Sequence, residues 1–283
     1  MIIKMPSSPL KIGLALSGGA VRGLAHVGVL RALAESNIPI DCIAGTSAGS
    51  IVGGAYAAGM SLDEIAEFGR KLRWRHIGRV TVSRLGFKTN ERLEHYMRAR
   101  LPITKFEDLP IPFAAVATDL KTNTAVVMKE QGDIPFAIRA SCTIPGWYVP
   151  VRDGQGRQLV DGGLVAVVPS VVTRSLGADI VIAVDVNSVG ATFMGSSSSS
   201  SVIGVLLQSM MVVQQTASAR QLELSDFVIS PRVGHFRWDK MGRAEELFAA
   251  GYEAALLSIP KIRELIDSAG RREVQREEML AQA

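Results

Sequence analysis

The chain has 283 residues, of which 47% are hydrophobic and 20% charged, with a formal net charge of +4 and two cysteines. That length is ample for a buried core in one large domain or two small ones; Cys42 and Cys142 are too few for a disulfide framework, and no Cys/His spacing fits a zinc site. No apolar run reaches the ~18 residues of a spanning helix, and the opening residues, with Lys4, Pro6, Pro9 and Lys11, lack the charged-then-apolar order of a secretion signal, so a cytoplasmic protein is expected.

In chain order, residues 12–16 form a short apolar strand and 17–23 a Gly-rich turn. Residues 24–35 have helical periodicity, with Leu24, Val27, Leu30 and Leu33 three apart, until Asn37 and Pro39 stop the run. A second strand is predicted at 41–44, a tight turn at 45–49 and a small-residue helix at 50–58. Gly53, Gly54, Ala55, Ala57 and Ala58 would let that helix lie close against a sheet. This strand–helix–strand–helix order implies parallel pairing with a right-handed crossover. Helices follow at 62–72 and 90–100, then a strand at 112–118 paired with 124–128, and a helix at 134–140. Leu159 and Val160 form a brief strand leading into Asp161-Gly162-Gly163. A helix is expected at 167–175, a buried strand at 180–184, a flexible Ser-rich loop at 195–201 and a long helix at 205–222. A late strand at 227–229, a helix at 244–257 and a charged helical tail over 260–283 complete the chain. With no repeat and no linker, residues 1–283 read as one α/β domain with a mainly parallel central sheet and a core over about 11–186.

Gly45-Thr46-Ser47-Ala48-Gly49 matches G-x-S-x-G between a strand and a helix, the setting a nucleophile elbow requires. Glycines flanking the serine remove Cβ atoms that would clash in a strained turn, and the helix behind it offers free N–H groups. Equally, Ser47 could be a helix N-cap and Gly45 and Gly49 ordinary turn residues. The loop Ser17-Gly18-Gly19-Ala20-Val21-Arg22-Gly23 also opens a helix. The N–H groups of Gly18 and Gly19, with that of Ala48, are candidate oxyanion donors, and Arg22 would add positive potential or bind a phosphate. A nucleotide-phosphate loop is the competing reading, although neither G-x-G-x-x-G nor a G-K-[ST] ending is in place. Two candidate bases remain. Asp161 follows a strand, and Gly162 and Gly163 leave room for another segment; burial would raise its pKa to a useful value. Asp-Gly-Gly is also a plain turn sequence. His235, just after the late strand, has the chain position that a Ser-His-Asp triad would need.

Taken together, the Ser17–Gly23 loop, the Ser47 pentapeptide and Asp161-Gly162-Gly163 resemble the patatin-like phospholipase family, bacterial members in particular. Further similar segments are His26-Val-Gly-Val-Leu30, Ala117-Thr-Asp-Leu120, Arg139-Ala-Ser-Cys-Thr-Ile-Pro-Gly146 and Leu176-Gly-Ala-Asp179. The likeness runs from Lys11 to about Val186. It implies a three-layer α/β/α fold and lipid acyl-ester hydrolysis through an acyl-serine intermediate on a Ser47–Asp161 dyad, without metal or organic cofactor. Family members often carry an asparagine shortly after Asp-Gly-Gly, where this chain reads Leu164-Val-Ala-Val-Val168, which bears on loop geometry. The alternative function is a non-catalytic lipid-binding or regulatory protein on the same scaffold.

The stretch 70–88 contains Arg70, Lys71, Arg73, Arg75, Arg79, Arg84 and Lys88 and no acid, with Trp74, Leu85 and Phe87 interleaved; Leu62, Ile65, Phe68 and Leu72 form an apolar stripe just before it. Such a stretch fits peripheral docking on an anionic membrane, or a solvated basic face over a core helix. No nucleic-acid motif accompanies it. The apolar run 202–213 offers a homo-oligomer face or a lid.

Overall fold

A computed structural model describes residues 10–187 and 202–282; the first nine residues and the Ser-rich stretch 195–201 lie outside the described residues. The chain opens with β1 (Ile12–Leu16), α1 (Ala25–Glu35), β2 (Cys42–Thr46) and α2 (Ala48–Ala57). After α3 (Leu62–Lys71) and α4 (Trp74–Ile77) comes a small hairpin of β3 (Arg79–Val80) and β4 (Lys88–Thr89), which the sequence reading did not anticipate. Then follow α5 (Glu91–Arg98), β5 (Phe113–Asp119), β6 (Thr124–Lys129), α6 (Ile134–Ser141), β7 (Val151–Arg152) and β8 (Gln158–Asp161). The remainder is α7 (Ser170–Ser175), β9 (Ile180–Val184), α8 (Val202–Leu222), β10 (Phe227–Ile229) and α9 (Ala244–Gln282).

The main sheet has the order β10-β9-β1-β2-β5-β8-β7, with β6 paired to β5 off this path. The strands from β10 to β5 are parallel, and β6, β8 and β7 join antiparallel. Side-chain alternation along the buried strands makes the layers. Ile12, Leu14, Leu16, Ile43 and Phe113 enter the large core shared with α1, α2, α3, α5, α6 and α9. Ala15, Cys42, Ala44, Ala114 and Val116 face the other side, under Val167, Val168, Val172 and α7. Together these make the three-layer α/β/α arrangement. Among the described residues no helix is long and apolar enough to cross a membrane.

Four expectations change. The turn expected over 45–49 shrinks to one residue, because β2 continues through Thr46 and α2 starts at Ala48. The helix expected from 167 begins at Ser170, since Pro169 disfavours the helical conformation at Val168. The helix expected over 244–257 and the helical tail expected over 260–283 are one element, because α9 runs through Pro260. The α3 stripe belongs to the core, where Ile65 and Phe68 are buried, and is not free to dip into a lipid surface.

Candidate active site

Two strands that end against each other build the site. β2 lies along one edge of β5 until Thr46 pairs with Val116. From the next residue of β5, Ala117, that edge is taken by β8 running the opposite way, and Asp161 is the residue opposite Ala117. The two strand ends therefore converge, and Ser47, just after β2, meets Asp161, the last residue of β8, 114 positions away in sequence. Gly162 makes this tight approach feasible: a Cβ there would lie 2.2 Å from the Val116 carbonyl oxygen.

Ser47 has φ +51° and ψ −119°, a conformation costly for a residue with a side chain. Its surroundings hold it there. A Cβ at Gly45 would lie 2.5 Å from the Gly49 carbonyl oxygen, and one at Gly49 would lie 2.2 Å from that of Leu16, so both flanking glycines are needed for the turn to close. The Ser47 N–H donates to Ser141 Oγ at 2.8 Å, and Ser50 Oγ donates to the Ser47 carbonyl at 2.6 Å. Ser141 was not singled out from sequence, although it lies in the Arg139–Gly146 segment that carried part of the resemblance.

The Ser47 hydroxyl donates to Asp161 Oδ2 at 2.7 Å, and the Gly163 N–H donates to Oδ1 at 2.8 Å. The Asp161 backbone is fixed as well: its N–H donates to the Thr143 carbonyl at 2.8 Å, and its carbonyl accepts from Thr118 Oγ1 at 2.9 Å. Burial pushes the Asp161 carboxyl up to about 6, against the opposing pull of the hydrogen bonds from Ser47 and Gly163. A carboxylate raised this far and aimed at a hydroxyl is equipped to take its proton near neutral pH.

Of the three candidate oxyanion donors, Gly18 is corrected. The Gly18 N–H already donates to the Val167 carbonyl at 3.0 Å, so it is not an available donor. The N–H groups of Gly19 and Ala48 have no acceptor among the described residues, and both residues line the space beside Ser47. Gly19 must be glycine, because a Cβ would lie 2.3 Å from Val186 Cγ2. The Asn187 side-chain amide donates to the Gly18 carbonyl, and His26, fully buried, donates from Nε2 to the Ser17 carbonyl at 2.9 Å. Arg22 is also fully buried. Its Nε donates to the Phe236 carbonyl at 2.8 Å and a terminal nitrogen to that of Gly234 at 3.2 Å. It thus braces the 234–236 loop against the oxyanion loop instead of extending outward to a phosphate.

His235 is exposed and lies against Phe236 with the rings tilted by 40° and their centroids 4.2 Å apart; no hydrogen bond joins it to Ser47 or Asp161. The side-chain partner of the Ser47 hydroxyl is the Asp161 carboxylate. Gln221 of α8 also escaped the sequence reading. Its amide oxygen accepts from the Val168 N–H and its amide nitrogen donates to the Val165 carbonyl, both at 2.9 Å. It clasps the segment that lacks the familiar asparagine, and Val167 within that segment holds Gly18.

Two cavities meet at Ser47. One is apolar and runs from Ser47 and Ala48 between α2, α3 and α5, lined by Ile51, Val52, Ile65, Phe68, Leu72, Leu93, Cys142 and Tyr148. The other is more polar, with Gly18, Gly19, Arg22, Asp161 and Asn187 facing Met210, Met211 and Gln214 of α8, and Trp238. Greasy on one side and polar on the other, the serine sits where an acyl chain and a polar leaving group would part.

The crystal structure of VipD from Legionella pneumophila has a similar fold, with a TM-score of 0.59 at 14% identity, covering 93% of this chain and 68% of that one. In sequence, the uncharacterized NTE family protein Rv1063c of Mycobacterium tuberculosis is 40% identical over 188 residues, covering 65% of this chain and 51% of that protein. Lysophospholipase NTE1 of Mycosarcoma maydis is 38% identical over 191 residues, 65% of this chain and 10% of that protein. The chain therefore spans about half the length of the mycobacterial relative and a tenth of the fungal one. The model of the patatin-like phospholipase family matches residues 14–172, a span that holds the oxyanion loop, Ser47 and Asp161. The chain belongs to the patatin-like phospholipase family.

Proposed function

We propose that the protein is a serine lipid acyl hydrolase, acting on phospholipid, lysophospholipid or simpler carboxylic esters, with Ser47 as nucleophile and Asp161 as base. The observation that carries this reading is the 2.7 Å hydrogen bond from the Ser47 hydroxyl to a buried carboxylate. Ser47 Oγ attacks the acyl carbonyl carbon while its proton passes to Asp161 Oδ2. The tetrahedral oxyanion is held by the N–H groups of Gly19 and Ala48, at the positive end of α2. Collapse breaks the ester bond, and the departing alcohol oxygen takes the proton from Asp161. Water then attacks the acyl-serine, Asp161 again accepting the proton, and the fatty acid leaves as Ser47 regains it. The apolar cavity is suited to the acyl chain, and the name of the fungal relative, a lysophospholipase, supports the lipid substrate class.

The test is hydrolysis of p-nitrophenyl esters and phospholipids by the wild-type protein and by Ser47→Ala, Asp161→Asn and His235→Ala. Folded Ser47→Ala and Asp161→Asn should each lose at least roughly a thousandfold in kcat, and His235→Ala should keep its activity. Full hydrolysis by folded Ser47→Ala would end the proposal; a folded but inactive His235→Ala would restore a histidine base. Labelling of Ser47 by a fluorophosphonate separates an active serine from a scaffold that only binds lipid.

A further inference from the structure

The hairpin formed by β3 and β4 is unusually bare. Val80, Val82, Leu85 and Phe87 are all exposed within eight residues, Val82 completely, although two strands of two residues have no core of their own. Its base is nonetheless firmly tied. The Lys88 N–H donates to the Trp147 carbonyl at 3.1 Å and the Val149 N–H to the Lys88 carbonyl at 2.8 Å. Gly86 lies so close that a Cβ would be 2.6 Å from the Tyr148 carbonyl carbon. A rigidly rooted element with an apolar tip marks an interaction surface rather than a loose loop.

Helix α8 shows a second apolar face. Arg220 is the single charged residue between Val202 and Leu222. Met211 is buried towards the site, while Val205, Leu206, Val212 and Val213 are exposed. These four repeat at intervals of seven and so form one stripe. The two elements flank the same aromatic cluster: Lys88 Nζ sits 4.6 Å from the Trp147 ring centre, Trp147 meets Trp238 edge-on at 6.4 Å, and Trp238 packs with Met211. Trp238 and Met211 line the polar cavity beside Ser47.

We infer that the hairpin tip and the outer stripe of α8 form one docking surface for an anionic phospholipid bilayer, set at the entrance to the Ser47 cavities. Charge complementarity selects this partner. Among the cations of the 70–88 stretch, Arg70 is held by Glu245 at 2.5 Å, Lys71 by Glu67 at 2.8 Å and Arg79, in β3, by Glu91 at 3.6 Å. Arg84, by contrast, stands exposed at the hairpin tip among the apolar side chains, and no acid lies within the stretch. Apolar groups with an exposed cation among them suit the headgroup boundary of an acidic membrane, where both kinds of group gain. The inference deepens the hydrolase reading by specifying how lipid is reached, yet its test does not depend on turnover.

Vesicle co-sedimentation of the 283-residue chain carrying Ser47→Ala measures it, with phosphatidylcholine vesicles containing or lacking phosphatidylglycerol. Binding should strengthen with the anionic fraction and weaken with added salt. Val82→Asp with Phe87→Asp, and separately Leu206→Asp with Val213→Asp, should each weaken binding by about tenfold or more. The gentler Val82→Ser should weaken it less, with an unchanged melting curve. In a chain with Ser47 restored, the same variants should hydrolyse soluble p-nitrophenyl butyrate at the wild-type rate. Absence of vesicle binding by the parent, or binding indifferent to both pairs of substitutions, overturns the surface. A dimer in sedimentation velocity that the same substitutions dissociate assigns the face to a second copy and overturns it too. Failure of ester hydrolysis alongside intact vesicle binding sinks the hydrolase reading alone.

Discussion

The raised pKa of Asp161 gives the proposed mechanism a pH signature. The base must be ionised to accept the Ser47 proton, so kcat/KM for a soluble ester should rise through pH of about 6 and then level off. Stability should move the other way. A carboxyl whose folded pKa lies above its unfolded value contributes stability that is complete below about 3.8 and is lost as pH rises through about 6. Asp161→Asn removes that dependence, since its oxygen can still accept from Gly163 and its amide can donate to Ser47 Oγ. Melting curves from pH 4 to 7 should therefore move in the variant's favour relative to wild type, while its activity is lost. Ser47 allows a second check. Its backbone carries φ +51°, so Ser47→Gly should be more stable than Ser47→Ala by about 1 kcal/mol in urea unfolding, with both inactive.

At the scale of elements, the proposed oxyanion loop is held by a relay that begins in α8. Gln221 clasps Val165 and Val168, and the intervening Val167 carbonyl fixes Gly18. Gln221→Ala should loosen Gly19 as a donor and lower kcat on a soluble ester by about tenfold with little change in KM. Gln221→Glu keeps the acceptor for Val168 and should recover part of the loss, which a merely structural helix contact would not produce. The long helix over most of this span was legible from its apolar run, but the clasp was not: a glutamine in such a run gives no sign of which backbone it will meet. The hairpin at 79–89 was hidden for a related reason. Its strands are too short for a period-two signal, and it is held by the backbone of Trp147 and Val149, which lie some sixty positions later in the chain.

Over the whole molecule, α9 closes the large core by lying against α1, and two glycines set the distance. A Cβ at Gly28 would sit 1.9 Å from the Phe248 carbonyl oxygen, and one at Gly251 would sit 1.9 Å from that of Ala25. Neither obstacle is a flexible side chain, so the helices would have to separate. Gly251→Ala should cost about 3 kcal/mol in urea unfolding, despite alanine's better helix propensity. The adjoining His26 holds the Ser17 carbonyl, so such separation would also reach the oxyanion loop.

From sequence alone followed the alternation of strand and helix, the parallel pairing and the strand–serine–helix setting of Ser47, while the pairing of Ser47 with Asp161 was implied by the family resemblance and the residues by themselves left His235 open as a base. Each rests on a local pattern or on motifs that retain their order: apolar periodicity, glycines around one serine, an Asp-Gly-Gly after a strand. The tertiary structure decided which amides remain free, since Gly18 looked as suitable as Gly19 but its N–H donates to the Val167 carbonyl. It also decided that Arg22 braces a loop, that His235 stays outside, and that the α3 stripe is core while the hairpin tip is bare. Those outcomes turn on partners distant in sequence and on burial, and neither is encoded in the spacing of residues along one stretch of chain.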